Sequence, residues 1–258
     1  MFNSPFKSDL PPAKVKSGLL VGIDFGTTYT GVSYAYVSEH ARDSLTPEQL
    51  REKVVVLKNW PGVAGTYTEK VPSILAYDSN GQVIAWGGKV KSSHSIRVSH
   101  FKLGLQDGAD EHYAFATKSE GQRTRLEQLL ATPSWKHPLL PGKEPIDHVQ
   151  NFLKEIHQYV ITEALPQDFG RQFLARIPIQ YVLTVPAIWS DKARDSTRKA
   201  AVKVGIPDRD LTVITEPEAA ALYCSTLCHE VDLTDGDHFL VCDAGGGTVV
   251  SPYLGKRC

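Results

Sequence analysis

The first regular pattern in the chain is an apolar run that stops at a carboxylate and a glycine. Leu19–Ile23 is apolar and rich in β-branched residues, which predicts a buried strand. An aspartate, a glycine and two threonines follow within residues 24–28, and Tyr29–Val37 is again typical of a strand. The pattern therefore predicts two strands joined by a polar turn.

The composition of this turn suits a phosphate group. Gly26 allows backbone N–H groups to approach phosphate oxygens, and Thr27 and Thr28 add hydroxyl donors. Asp24 can face a hydrated magnesium ion. Neither G-x-x-x-x-G-K-[ST] nor G-x-G-x-x-G describes the turn, which argues against a Walker A or dinucleotide site, and a plain β-turn is the competing interpretation.

A second stretch repeats this order of residue types. Phe239–Cys242 is apolar, and Asp243 follows it. Three consecutive glycines in a strand end are costly unless something approaches the backbone closely. The repeat therefore predicts two related lobes that face each other across a nucleotide cleft, with candidate phosphate contacts at Gly245, Gly246, Gly247 and Thr248.

Elsewhere, strand patterns alternate with helix patterns, which predicts an α/β protein. Ile146–Leu165 carries apolar residues on one face at helical spacing. Thr215 and Glu218 fit a capping box, which places Glu216 where a strand becomes a helix. The other predicted helices are 46–50, 123–131 and one from Ser190 to Gly205; the other predicted strands are 54–57, 70–77, 82–86, 180–185 and 211–214.

Taken together, these motifs resemble the ATPase domain of the seventy-kilodalton heat-shock (DnaK-type) chaperones. Tyr181–Ala187 and Val213–Ala221 resemble two further family segments, and Phe101–Gly104 resembles the segment with the cleft lysine. The Trp60–Gly62 loop is similar to the divergent "protein twelve" branch. The resemblance implies an actin-like, ribonuclease H-like α/β fold.

The resemblance also implies a division into lobes. Residues 18–38 and 145–236 would form the core subdomain of lobe I, and 39–144 its outer subdomain. Residues 237–258 would form only the first hairpin of lobe II. Residues 1–17 mix Ser, Pro and Lys without periodicity and are interpreted as a disordered leader.

By the same resemblance, the ligands are ATP or ADP with Mg²⁺, which Asp24 and Asp243 would hold through water. Lys102 would neutralise the γ-phosphate and orient the attacking water, and Glu216 would order the magnesium shell or the water. Their competing roles are a solvated lysine and a carboxylate at a helix N-terminus. The expected phosphate contacts on the first turn are Gly26, Thr27, Thr28 and Tyr29.

Two further residues resemble positions that report nucleotide state across the domain. These are Pro186 and Arg194, whose competing roles are a strand-end proline and a surface arginine. Cys224, Cys228 and His229 are interpreted as buried thiols near a histidine rather than as a zinc site.

Composition narrows the class of function. The 258 residues are 41% hydrophobic, enough for a core, and the net charge of −1 gives no case for binding nucleic acid or an anionic membrane. Four cysteines without a secretory pattern favour a cytoplasmic protein.

The end of the sequence departs from the family pattern. Val250 stands where the family has an acidic residue, and Ser251–Cys258 is expected not to continue as a strand. The departure suggests a truncated or misjoined reading frame. The activity that the resemblance implies is ATP hydrolysis coupled to protein folding in a stress response, and we expect it to be weak in such a chain. The alternatives are a sugar or metabolite kinase of the same superfamily, or a non-enzymatic fragment that binds co-chaperones or a full-length relative.

Overall fold

A computed structural model describes residues 17–39, 46–63, 68–106, 137, 140–227, 238–240, 243–244, 249–250 and 253–255. The strands are β1 Gly18–Phe25, β2 Tyr29–Val37, β3 Val55–Val56, β4 Lys70–Pro72, β5 Ile74–Tyr77, β6 Val83–Trp86, β7 Ile96–Ser99, β8 Ile179–Val185, β9 Leu211–Thr215, β10 His238–Leu240, β11 Asp243–Ala244, β12 Val249–Val250 and β13 Tyr253–Gly255. The α-helices are α1 Pro47–Glu52, α2 Pro145–Tyr159, α3 Leu165–Phe169, α4 Arg171–Leu174, α5 Asp191–Lys203 and α6 Glu216–Leu227. Shorter helical turns are Gly87–Lys89, Phe101–Leu105, Val160–Ala164 and Asp208–Asp210.

The central sheet has the strand order β3-β2-β1-β8-β9, and β4 also pairs with β2. β1 and β2 form an antiparallel hairpin, whereas β1, β8 and β9 are parallel. Helices alternate with the parallel strands along the chain, so the predicted α/β class is confirmed. The carboxyl ends of the three parallel strands meet at one edge, which is where open α/β sheets bind ligands.

Helix α2 covers this sheet with the apolar face that its sequence predicts. Val149, Phe152, Leu153 and Ile156 are all buried. The predicted helix over residues 146–165 is confirmed, with one local change: a π-helical turn at Val160–Ala164 joins α2 to α3 without a break. Pro166 lacks the N–H that an uninterrupted α-helix would use here, which favours the wider turn.

Local signals set the ends of the other helices as predicted. Thr46 caps α1 in a capping box with Gln49, and the Ser190 side chain accepts a hydrogen bond from the backbone N–H of Ala193 at the start of α5. Gly205, with φ of +105°, follows the end of α5. The predicted helix over 123–131 lies outside the described residues.

A second, three-stranded antiparallel sheet has the order β6-β5-β7 and lies within residues 74–99. The strand predicted for 70–77 is divided: its second part, β5, pairs with β6 as predicted, whereas its first part, β4, pairs with β2 in the central sheet. Within the described part of the chain, no helix is long and apolar enough to cross a membrane.

The last strands form two separate antiparallel pairs, β10 with β13 and β11 with β12. The expectation that Ser251–Cys258 does not continue as a strand is wrong for Tyr253–Gly255, which pairs with His238–Leu240. Pro252 precedes β13 in the sequence, so it removes no N–H group from this ladder.

Candidate functional site

The turn between β1 and β2 is a tight backbone feature held from one side by Ser73. A Cβ atom added at Gly26 would lie 2.1 Å from the carbonyl oxygen of Tyr29, so the turn requires glycine. The Ser73 hydroxyl donates to the Gly26 carbonyl at 2.8 Å, and the Ser73 N–H donates to the Thr28 carbonyl at 2.8 Å. These bonds fix the backbone that a phosphate would meet.

Thr28 offers a hydroxyl for a ligand. Its Oγ1 atom is buried and has no hydrogen-bond partner within the described part of the chain. Most buried hydroxyls have a partner, and leaving one unpaired costs free energy. A ligand oxygen at this turn would satisfy the hydroxyl.

Beneath the turn lies a buried ion pair. The Lys102 ammonium, only 2% exposed, is 2.6 Å from Glu216 Oε1 and also donates to the carbonyl of Phe25. Its nitrogen lies 5.2 Å from the ring centroid of Phe25 and 5.5 Å from that of Trp189. We call Lys102, Glu216 and Phe25 the floor of the site. The alternative of a solvated lysine is wrong, because a carboxylate and two aromatic faces compensate the buried charge.

The Glu216 carboxylate can pair with Lys102 because another residue caps the helix that begins at Glu216. The backbone N–H of Thr215 donates to Glu218 Oε2 at 2.7 Å, and the N–H of Glu218 donates to the Thr215 hydroxyl at 3.3 Å. This is the predicted capping box. The Glu216 carboxylate therefore points to Lys102 rather than capping α6.

At the end of β1, both carboxylate oxygens of Asp24 have partners. Oδ1 accepts a hydrogen bond from the Thr184 hydroxyl at 3.1 Å, and Oδ2 is 2.7 Å from the Lys70 ammonium. Asp24 and Lys70 are about half exposed. We call Asp24, Lys70 and the intervening Gly31 the rim of the site.

Comparisons with known proteins bear on this arrangement. No family model matches the chain. Human heat shock 70 kDa protein 12B is 26% identical over 233 residues, which cover 87% of this chain and 30% of that protein. Chaperone protein dnaK of Emiliania huxleyi is 36% identical over 237 residues, covering 90% of this chain and 32% of that protein. The chain is a divergent relative of the heat-shock-70 family.

Two further comparisons give the extent of the similarity. Mouse heat shock 70 kDa protein 12A is 26% identical over 81% of the chain. Proteins of the expected protein-twelve branch are therefore among those that the chain resembles. This heat-shock-70 relative spans about 30% of the length of the proteins it matches. A solved structure of MreB5 of Spiroplasma citri bound to ADP has a TM-score of 0.44 and 15% identity over 95% of the chain and 50% of that protein.

Sequence reasoning missed three residues of the site in this heat-shock-70 relative: Lys70, Ser73 and Thr184. The parallel register of β1 with β8 pairs Ile23 with Leu183, and it brings Thr184 to Asp24. The hairpin register could have revealed Lys70, because Asp24 pairs with Gly31 and Gly31 pairs with Lys70. These signals exist only once strand pairing is known.

The loop after β8 is tied to α5 by Arg194. Its guanidinium donates to the carbonyls of Ala187 at 2.8 Å and Trp189 at 3.1 Å, so it is not a solvated surface arginine. Pro186 is buried at the start of this loop. The loop thereby holds Trp189 over the floor; the predicted role of Pro186 and Arg194 in reporting nucleotide state stays a prediction.

The remaining predicted residues lie beside the turn, in other elements or outside the described residues. Tyr29 is half exposed beside the turn, and Gly245–Thr248 lies outside the described residues, as do Cys228 and His229. Asp243 lies in β11, paired with Val250. Cys224 is an exposed free thiol, which corrects its expected burial, because α6 buries Ala221 but leaves Cys224 facing outward with Tyr223.

Proposed function

We propose that this site binds the phosphates of ATP or ADP together with Mg²⁺. The observation that carries the proposal is the floor, in which Lys102 and Glu216, 114 residues apart, meet under a glycine turn. A fixed ammonium in a site of low solvent access attracts a polyphosphate more strongly than an exposed one would. Gly26, Thr27, Thr28 and Tyr29 would supply the phosphate contacts on this side of the nucleotide.

The residues present fit a magnesium ion. Mg²⁺ usually keeps several waters and takes one or two carboxylates. The half-exposed Asp24 carboxylate is such a ligand: Thr184 orients Oδ1, and Oδ2 is held only by the half-exposed Lys70. The buried, unpaired Thr28 hydroxyl fits the accompanying phosphate. Asp24, with Asp243 from the second stretch, would hold the ion, which supplies charge neutralisation of the phosphate oxygens when bound.

The similarity to the heat-shock-70 family also suggests what the bound nucleotide is used for. We infer an ATPase in which Lys102 and Glu216 position the attacking water, with Gly245, Gly246, Gly247 and Thr248 gripping the phosphates from a second lobe. Coupling to protein folding in a stress response, a cytoplasmic location and co-chaperone partners belong to the same proposal. The similarity to chaperone proteins over most of the chain supports it.

The division into lobes is also a proposal. It takes 18–38 and 145–236 as the core of lobe I, 39–144 as its outer part, 237–258 as the beginning of lobe II and 1–17 as a leader. Its support is that β1, β2, β8 and β9 form one sheet, while the β6-β5-β7 sheet falls within the outer part. The short strands β3 and β4 of the outer part extend the core sheet by pairing with β2.

Calorimetric titration with Mg-ATP tests the proposal on the purified chain. Binding at micromolar strength that Asp24→Asn weakens is the expected result. Asp208→Asn is the matched control, because Asp208 is an exposed aspartate paired with Arg198 and should leave binding unchanged. Absence of binding by the folded chain would contradict the proposal, and ADP formation only on addition of a sugar would favour a metabolite kinase.

A further inference from the structure

Lys70 reaches Asp24 by crossing a strand that carries no side chain at the crossing point. Asp24 pairs with Gly31 in the β1–β2 hairpin, and Gly31 pairs with Lys70 in β4, so the three residues lie in one row across the sheet. A Cβ atom at Gly31 would lie 3.4 Å from Lys70 Cγ and 3.7 Å from Cε. The lysine side chain therefore runs along the bare backbone of Gly31, which directs its ammonium to the carboxylate.

We propose that Lys70 is a resident cation of the Asp24 carboxylate, which competes with a divalent cation and lets a nucleotide bind with little dependence on magnesium. The inference rests on the proposed nucleotide site. Lys70 Nζ is 2.7 Å from Oδ2, the oxygen that Thr184 does not use. It is therefore the oxygen that a hydrated divalent cation would need.

The ion pair at the rim can open. The side chains of Lys70 and Asp24 are 54% and 45% exposed, and exposed pairs between flexible side chains are weakly held. The lysine ammonium is a compact charge at the end of a flexible side chain, so it can move from the carboxylate to a phosphate. Lys70 can thus leave Asp24 when a divalent cation arrives.

Lys70 also changes what a metal-free nucleotide meets. Without this lysine, the negative charge of the Asp24 carboxylate would repel the phosphates. With Lys70 in place, the rim is electrically neutral and its ammonium can face the phosphate oxygens. The ratio of the ATP dissociation constant in chelator to that in Mg²⁺ measures this effect, and we call it the magnesium ratio.

The test compares the magnesium ratio of four proteins by titration with ATP. The unmodified chain should show a ratio below about tenfold, and Lys70→Met should raise the ratio about tenfold, mainly through weaker binding in chelator. Lys70→Arg keeps the charge and should keep the ratio low. Lys58→Met is the matched control, because Lys58 is another half-exposed lysine paired with a glutamate, and it should leave the ratio unchanged.

The outcomes separate this inference from the proposed function. If ATP binds but Lys70→Met leaves the magnesium ratio as it was, the inference is overturned and the nucleotide site stands. If the unmodified chain binds ATP in neither condition, the proposed function fails. In that case, the nucleotide-free proteins are titrated with Mn²⁺, and the free ion is measured by electron paramagnetic resonance. Tighter Mn²⁺ binding by Lys70→Met than by the unmodified chain supports competition between Lys70 and the divalent cation. Equal Mn²⁺ binding by the two proteins overturns it.

Discussion

The floor and the rim each pair a lysine with a carboxylate next to the same turn. Lys102 and Glu216 are 2.6 Å apart, and Lys70 and Asp24 are 2.7 Å apart, yet Lys102 is 2% exposed and Lys70 is 54% exposed. Solvent access rather than distance sets the energy of such pairs. The comparison indicates a fixed ion pair in the interior and an exchangeable one that faces solvent.

The largest effect is expected from Lys102→Met. The change leaves the Glu216 carboxylate and the Phe25 carbonyl without their buried donor, which should lower the free energy of unfolding by about 2–3 kcal/mol. Urea denaturation measures the loss. The double variant Lys102→Met with Glu216→Gln should recover part of it, and a Lys102→Met chain as stable as the unmodified one would remove the distinction between floor and rim.

Gly26→Ala should have the next largest effect, because the turn joins the floor to the rim. The new Cβ would lie 2.1 Å from the Tyr29 carbonyl oxygen, so the backbone must open. We expect a loss of about 1–2 kcal/mol in the free energy of unfolding, together with loss of ATP binding. Normal ATP titration of Gly26→Ala would mean that this turn does not grip the phosphates.

A pH scan tests the helix that packs behind the floor, and a smaller effect is expected from it. Helix α2 packs Phe152 on Phe25 and also carries His157, whose Nε2 is 3.0 Å from the Tyr181 hydroxyl. Burial lowers the pKa of His157, against a smaller opposing effect of a backbone hydrogen bond at Val204. The unfolded chain, with a histidine pKa of about 6.5, therefore takes up the proton more readily, and stability should fall as the pH drops below about 6.5.

The measurement is thermal unfolding between about pH 7.5 and 5.5, a window above the ordinary carboxylate range. His157→Gln keeps a hydrogen-bonding group near Tyr181 and cannot titrate, so its melting temperature should depend less on pH. Equal slopes for the two proteins would show that another group causes the acid sensitivity.

The smallest change in stability is expected from Lys70→Met. Because this ion pair is exposed, its removal should alter the free energy of unfolding by less than about 1 kcal/mol. The same urea experiment as for Lys102→Met gives the comparison directly. A loss as large as that of Lys102→Met would show that the rim is as structural as the floor.

The sequence predicted those features that depend on neighbouring residues. The β1–β2 hairpin, the cap at Ser190 and the capping box of Thr215 and Glu218 follow from local patterns, and the structure confirms them. The contacts of Asp24 were missed, because Lys70 and Thr184 are 46 and 160 residues away and reach it only through strand register.

The burial of Lys102 illustrates the same limit. A lysine after an aromatic residue is usually solvated, and only the meeting of Phe25, Trp189 and Glu216 around its ammonium makes burial tolerable. The π-helical turn after Tyr159 was within reach of the sequence, since Pro166 has no N–H to donate. Tertiary contacts between distant segments therefore account for most of what was missed.

The most direct test of the account compares ATP, ADP and AMP in titrations of one folded sample with Mg²⁺. If the turn and the floor grip the terminal phosphates, ATP and ADP should bind at micromolar strength and AMP about 100-fold more weakly, since AMP lacks the groups that these residues meet. Equal affinity for all three nucleotides, or no binding of ATP by the folded chain, would contradict the assignment of this site to phosphate binding.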